Sequence, residues 1–184
     1  MRMIDGAVAY GNFTGAFVDE LAGWLGGRRV LEIMSGNGLL ASMLGRRGVD
    51  VRATSLFAGH DGHGRGLLWP VEEMEAAAAV AAHGAWADVL LVSWPTTTEA
   101  MARAALEWGD EKPLVFVGEM PDPDVPFGQW PGCASDLFFE ITRTEDVFSG
   151  YSSGNALDRA VVLRVLPEPV AAWRANKGAA APRP

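Results

Sequence analysis

The chain is poor in cysteine and in clustered positive charge, and it has no long apolar run. A single cysteine, Cys133, excludes an intramolecular disulfide and supplies no zinc-binding spacing. Fifteen Lys and Arg against 23 Asp and Glu leave a net charge of -8, and the basic residues stand singly or in pairs. Phosphate binding needs clustered cations, so a nucleic acid substrate is not expected. No apolar stretch reaches the roughly 20 residues of a membrane span. The first residues also lack the charged-then-apolar layout of a secretory signal, so a cytoplasmic protein with no membrane partner is expected. The expected partner is a small molecule, and a homodimer is compatible with the chain. At 184 residues there is room for one domain with a sizeable core, and 1-184 reads as a single unit. The abundance of Ala, Gly and Arg suggests a GC-rich bacterial genome.

What is present is organised around Arg29 to Leu40. Val30 to Ile33 reads as a buried parallel strand, Gly36-Asn37-Gly38 turns the backbone, and Leu39 opens an amphipathic run. Glycines at such a turn let the main chain approach a ligand, and the helix start offers unpaired N–H groups, so a nucleotide-like guest is expected. Glu32 sharpens this. A carboxylate inside an apolar strand suits a ligand's donors better than it suits packing. Gly36 to Ala41 also satisfies G-x-G-x-x-A, which keeps a dinucleotide open at this point.

Along the chain, residues 1 to 11 are expected to cap the sheet or a pocket. Phe13 to Leu25 has helical spacing and ends at Gly26-Gly27, which makes 1-28 an N-terminal cap. Tyr10 and Phe13 are candidates to cover the ligand or else to pack on the sheet. Val49 to Thr54 alternates as a second strand. Leu56 to Gly66 is too rich in glycine for a stable helix, so the fold is shortened there. His60, Asp61 and His63 lie in that loop without distant ligand partners, so no metal site is expected. A histidine there suits a general base. Leu67 to Val71 is predicted as a third strand and Glu72 to His83 as a helix. Ala87 to Ser93 is a further buried strand, followed by a rigid Trp94-Pro95 turn and a helix capped by Thr97 or Thr98. Pro113 to Gly118 delivers Glu119 to the same sheet edge as Ser35, Ser55 and Ser93. Met120 to Pro131 is long enough for a lid. Cys133 to Phe139 is expected as a short helix, Phe139 to Arg143 and Ala160 to Leu166 as an antiparallel hairpin, and 167-184 as a frayed tail. The expected class is α/β: a three-layer, doubly wound Rossmann-like sheet, mostly parallel, with an antiparallel C-terminal hairpin.

Val30-Leu31-Glu32 followed by Gly36-x-Gly38 resembles the first motif of class I S-adenosylmethionine-dependent methyltransferases. Ser93-Trp94-Pro95-Thr96 is similar in position to their fourth motif. Leu31 to Gly38, Leu90 to Pro95, Gly118-Glu119 and a later Gly132-Cys133 resemble a bacterial and fungal methyltransferase-like group with LEIMxGxG and LLxSWP motifs. The resemblance implies S-adenosylmethionine as cofactor. Glu32, Ser35, Gly36, Asn37, Gly38 and Leu39 would hold its methionine part, and Ser55 with Asp61 its ribose, with Ser93 also on the cofactor side. Tyr10, Phe13, Trp94 and Pro95 would face the substrate, and Glu119, His60 and His63 are the candidate catalytic bases. Two positions depart from the pattern: Met34 stands where the family has its first glycine, and Ser55 where it has a ribose-binding carboxylate. The expected activity is methyl transfer to a small polar molecule in specialised metabolite biosynthesis. The alternatives are a methyltransferase fold that has lost transfer and performs cyclisation, isomerisation or hydrolysis by acid–base chemistry, or a non-catalytic partner protein.

Overall fold

A computed structural model describes residues 2–4, 7–9, 11–57, 66–121 and 133–180. Seven strands form one sheet in the order β5-β4-β3-β6-β7-β9-β8. These are β3 (Val30–Ile33), β4 (Val51–Ser55), β5 (Val71–Glu73), β6 (Val89–Ser93), β7 (Leu114–Glu119), β8 (Thr142–Val147) and β9 (Asp158–Val165). β3 to β7 run parallel, and β9 lies antiparallel between β7 and β8. A separate two-stranded sheet, β1 (Arg2–Ile4) with β2 (Ala7–Ala9), precedes them. The expected doubly wound sheet and its antiparallel hairpin are therefore present.

The central strands are apolar on both faces, and each face feeds its own core. Leu31, Ile33, Leu90, Val92, Leu114 and Phe116 point to one side. There they meet α3 (Ala76–His83), α4 (Ala100–Trp108) and α5 (Asp136–Glu140). Val30, Leu91, Val115 and Val117 point to the other, against α1 (Gly15–Leu25) and α2 (Leu39–Gly45). Strand side chains alternate, so the residue between Leu31 and Ile33 belongs to the α1/α2 face. That residue is Glu32.

Local signals set several boundaries. α1 begins at Gly15 rather than Phe13, because Thr14 caps it: its hydroxyl accepts the Phe17 N–H at 3.2 Å. Gly26 closes it in the left-handed region at φ 56.

The predicted strand Leu67 to Val71 is displaced to Val71–Glu73. Pro70 has no N–H for a ladder, and Trp69 turns inward instead. A Cβ on Gly38 would come within 2.7 Å of the Trp69 Cβ, and one on Gly45 within 2.3 Å of its ring, so both glycines are needed for this packing. With β5 placed there, α3 starts at Ala76 rather than Glu72, and Glu75 caps it through the Ala78 N–H at 3.0 Å.

Thr97 and Thr98 do not cap α4. Glu99 holds that place without a side-chain bond, while the Thr96 and Thr98 hydroxyls pair with each other at 2.9 Å. The strand predicted at Phe139 to Arg143 begins at Thr142, since α5 runs through Glu140.

The tail expected to fray forms α6 (Pro167–Ala180). Proline is tolerated in a first helical turn. Val170 is buried, Trp173 donates to Glu107 at 3.2 Å, and Lys177 pairs with Glu107 at 2.6 Å, which fastens α6 to α4. Among the described residues no helix is long and apolar enough to cross a membrane.

Candidate functional site at the carboxyl edge of the sheet

After β3 the chain makes a tight bend in which three residues take positive φ: Met34 (54), Gly36 (58) and Gly38 (78). Ser35 ties the bend to β4, its N–H and hydroxyl both donating to the Thr54 carbonyl at 3.0 and 3.1 Å. The Gly38 N–H returns to the Ser35 carbonyl at 3.0 Å. A left-handed conformation costs a residue with a Cβ about 1–2 kcal/mol, so Met34 holds a position that glycine would occupy without strain. Leu39 is half-buried and starts α2.

Glu32, in β3 just ahead of this bend, is completely buried between Ala53 and Leu91 of the adjoining strands. Among the described residues neither carboxylate oxygen has a hydrogen-bond partner of ordinary geometry. Burial pushes its pKa up to about 8, an effect only partly offset by the nearby Ala41 amide. Asn37 is also buried, and among the described residues its Nδ2 has no acceptor. An unsatisfied buried polar group costs about 1–3 kcal/mol, more for a charged one, so two such side chains flanking one glycine bend call for a ligand or ordered water. A Cβ on Gly36 would meet nothing within 4 Å, so this part of the bend has free space beside it.

A cavity of about 280 Å3 opens beside the bend. Met34 bounds it from β3, Ser55 and Leu56 from β4, Met74, Glu75 and Ala76 from the β5–α3 turn, and Trp94, Pro95 and Thr96 from the end of β6. Its walls are mostly apolar, with a few polar groups, which suits a flat organic ring carrying a polar substituent. Ser55 is buried, and among the described residues its hydroxyl reaches the Leu56 carbonyl at a long 3.5 Å. Trp94 takes φ 52, with its N–H anchored to the Val117 carbonyl at 2.8 Å.

Several expectations shift. Trp94 and Pro95, predicted on the substrate side, share this cavity with Ser55, the predicted ribose contact. Phe13 does not cover the bend: it is buried, stacks on Phe17 at 6.5 Å and lies against Gly11, so it belongs to the core. Ser93 is half-buried at the end of β6 and Glu119 half-buried at the end of β7; neither is among the cavity residues, and nor are the predicted cofactor contacts Glu32, Ser35, Gly36, Asn37, Gly38 and Leu39. Glu119 instead accepts a bond from Asn155 at 3.2 Å. Tyr10, His60, Asp61 and His63, and with them the glycine-rich loop, lie outside the described residues, as does 122–132, which carries the expected lid. Met74, Glu75, Ala76, Thr98 and Ala100 were not anticipated. Their signal was positional: they follow strand ends at the ligand-binding edge of a doubly wound sheet.

No protein-family profile and no curated protein matches the chain. Solved structures do match. A Klebsiella pneumoniae protein assigned as an O-methyltransferase superposes with a TM-score of 0.51 at 14% identity, over 88% of this chain and 84% of that one. A TehB-like S-adenosylmethionine-dependent methyltransferase from Corynebacterium glutamicum gives 0.49 at 12% identity, over 84% and 89%. Mitomycin 7-O-methyltransferase gives 0.49 at 13% identity, over 82% of this chain. The chain spans 53% of the length of that enzyme and 61% and 39% of two other matched structures. At 14% identity the first of these likenesses defines a Rossmann-like fold and nothing finer.

Proposed function

We propose that the protein binds S-adenosylmethionine and transfers its methyl group to a small polar acceptor. The observation that carries this is Glu32, a fully buried carboxylate with no hydrogen-bond partner of ordinary geometry among the described residues, in the strand that leads into the glycine bend; Met34 of that bend lines a mostly apolar cavity. The residues present fit the cofactor. Glu32 and the Asn37 amide would receive the polar amino acid end, and the Gly36 backbone permits close approach. Ser55 would offer one hydrogen bond to the ribose, and Met74, Ala76, Trp94 and Pro95 would enclose the base. When bound, the cofactor supplies an electrophilic methyl group on a sulfonium. The protein's part is then orientation: nucleophile and methyl carbon must be held in line, with water kept from the cavity. A deprotonating residue is needed only if the acceptor must lose a proton, and Glu119 is the candidate among the described residues.

Isothermal titration with S-adenosylhomocysteine tests the first step, and transfer of a labelled methyl group to added acceptors tests the second. Heat of binding at micromolar to millimolar ligand is expected. Its absence, with no thermal shift, would overturn the proposal.

One observation favours a second reading, in which the fold persists and transfer is lost. Met34 fills part of the cavity from the position where methyltransferases carry a glycine, and Ser55 replaces the usual carboxylate. In that case cofactor binding is weak, and any turnover is independent of the methyl donor.

A further inference from the structure

The cavity beside the bend carries polar side chains on two walls, and the two walls differ. On one, the Thr96 and Thr98 hydroxyls pair with each other at 2.9 Å, so each already has a partner. The other is built where β4 ends and β5 turns into α3. Ser55 stands opposite Glu73 in the parallel ladder, and its carbonyl accepts the Met74 N–H at 3.0 Å. That bond holds the turn against the strand end, and Ser55 and Glu75 both line the cavity there.

Glu75 is half-buried, and among the described residues lining the cavity it alone carries a charge. Its carboxylate is oriented by its own helix, because Oε2 accepts the Ala78 N–H at 3.0 Å as the N-cap of α3. An ionised carboxylate has about four acceptor positions, so one such bond leaves most of them to a guest. No Lys, Arg or His pairs with Glu75 among the described residues. Met34, Met74, Ala76, Trp94 and Pro95 supply apolar surface around it. A guest that fills such a space strips water from the carboxylate, and the loss is offset only if the guest donates hydrogen bonds in return.

We propose that Glu75 is the specificity-determining carboxylate of this cavity, and that it selects a nucleoside with a free vicinal diol. The inference rests on the cofactor reading for the identity of the guest. The flat base lies on the apolar walls, and the diol meets the wall where Ser55 and Glu75 stand. Two adjacent hydroxyls offer a carboxylate two donors at once, whereas the Ser55 hydroxyl supplies a single bond. The carboxylate absent at position 55 is in this way supplied from the β5–α3 turn. The same charge repels a phosphate at that place, and no Lys or Arg lines the cavity among the described residues to offset it. A nucleotide phosphorylated on the diol is therefore excluded.

The test is calorimetric titration of the full chain with adenosine, 2′,3′-dideoxyadenosine and adenosine 2′-monophosphate. Adenosine is expected to bind at least tenfold more tightly than either of the others. Glu75→Gln, whose side-chain oxygen can still accept the Ala78 N–H, is expected to reduce the preference over the dideoxynucleoside to less than threefold. Adding Ser55→Asp to that variant returns a carboxylate to the same wall and is expected to restore the preference. Melting curves check that the variants fold. Should Glu75→Gln fail to fold, Glu75→Asp keeps a good helix cap and withdraws the carboxylate by one methylene, and the same loss of preference is expected. Equal affinity of the native chain for adenosine and its dideoxy form, no binding of adenosine, or an unchanged preference in the variants would each overturn the proposal. So would a variant that keeps the diol preference but no longer distinguishes adenosine from inosine, since Glu75 would then read the base. S-adenosylhomocysteine is titrated in parallel. A diol preference that depends on Glu75, without any response to S-adenosylhomocysteine, leaves this assignment standing and removes methyl transfer. Binding of S-adenosylhomocysteine that is indifferent to Glu75→Gln removes this assignment alone.

Discussion

Asp88 and Glu32 lie at opposite ends of the same central strands and are treated in opposite ways. Asp88, just before β6, accepts from the Arg29 backbone N–H at 2.9 Å and from its guanidinium at 3.0 Å twice over. Those bonds hold the carboxyl well below its ordinary value, at about 2. Glu32, a strand-length away in β3, has no hydrogen-bond partner of ordinary geometry among the described residues, and burial drives it the other way, to about 8. The first arrangement joins the starts of two strands and is complete within the protein. The second is incomplete, and it sits where doubly wound sheets bind ligands. A carboxylate left unpaired in a core costs stability, and such a cost is kept where function needs it.

The contrast is broken most severely at Glu32. Glu32→Leu is expected to raise the unfolding free energy by about 1–3 kcal/mol in urea titrations, since it removes an unsatisfied polar group from an apolar face. The same change is expected to weaken S-adenosylhomocysteine binding on the order of 100-fold, about 3 kcal/mol, in calorimetry. Stability gained while binding is lost identifies a ligand-directed group; loss of both would make Glu32 structural.

A smaller effect is expected at Ser55. Ser55→Asp supplies the bidentate acceptor that a ribose diol prefers, and is expected to tighten the same ligand roughly tenfold, about 1.4 kcal/mol. A decrease would mean that the ribose does not lie there.

The dependence on pH separates the two carboxylates as well. Glu32 is raised from 4.5 to about 8, so the folded state holds a proton that the unfolded state releases between those values. Its contribution to stability is fully present below 4.5 and is lost as pH rises through 8. Asp88 is depressed, so its contribution is present above 3.8 and fades as pH falls toward 2. Denaturant midpoints measured from pH 5 to 9 are expected to fall for the native chain and to fall less for Glu32→Leu. The smallest effect is expected from Asp88→Asn: a modest decrease in melting temperature, because the pair is partly solvated, and ligand affinity unchanged within about twofold.

Much of the fold could be read from the chain because the central strands are buried on both sides. Val30 to Ile33, Val89 to Val92 and Leu114 to Val117 are near-continuous apolar runs, and Glu32 stood out as their single interruption. What could not be read depends on contacts between distant segments. Trp69 leaves a predicted strand because Gly38 and Gly45, more than 20 residues earlier, make room for its ring. Pro167 and Pro169 suggested a frayed tail, yet Val170, Trp173 and Lys177 find α4 and hold a helix. The candidate site divides in the same way. The bend and Ser55 followed from local spacing, whereas Glu75 reaches the cavity through the pairing of β5 with β4, which no local pattern records.

The most direct measurement is the titration of the Glu32 carboxyl by carbon-detected nuclear magnetic resonance, with and without S-adenosylhomocysteine. A midpoint near 8 in the free protein, displaced when the ligand is added, is expected. A midpoint in the ordinary carboxylate range that ignores the ligand would contradict the assignment of this buried acid to a bound cofactor.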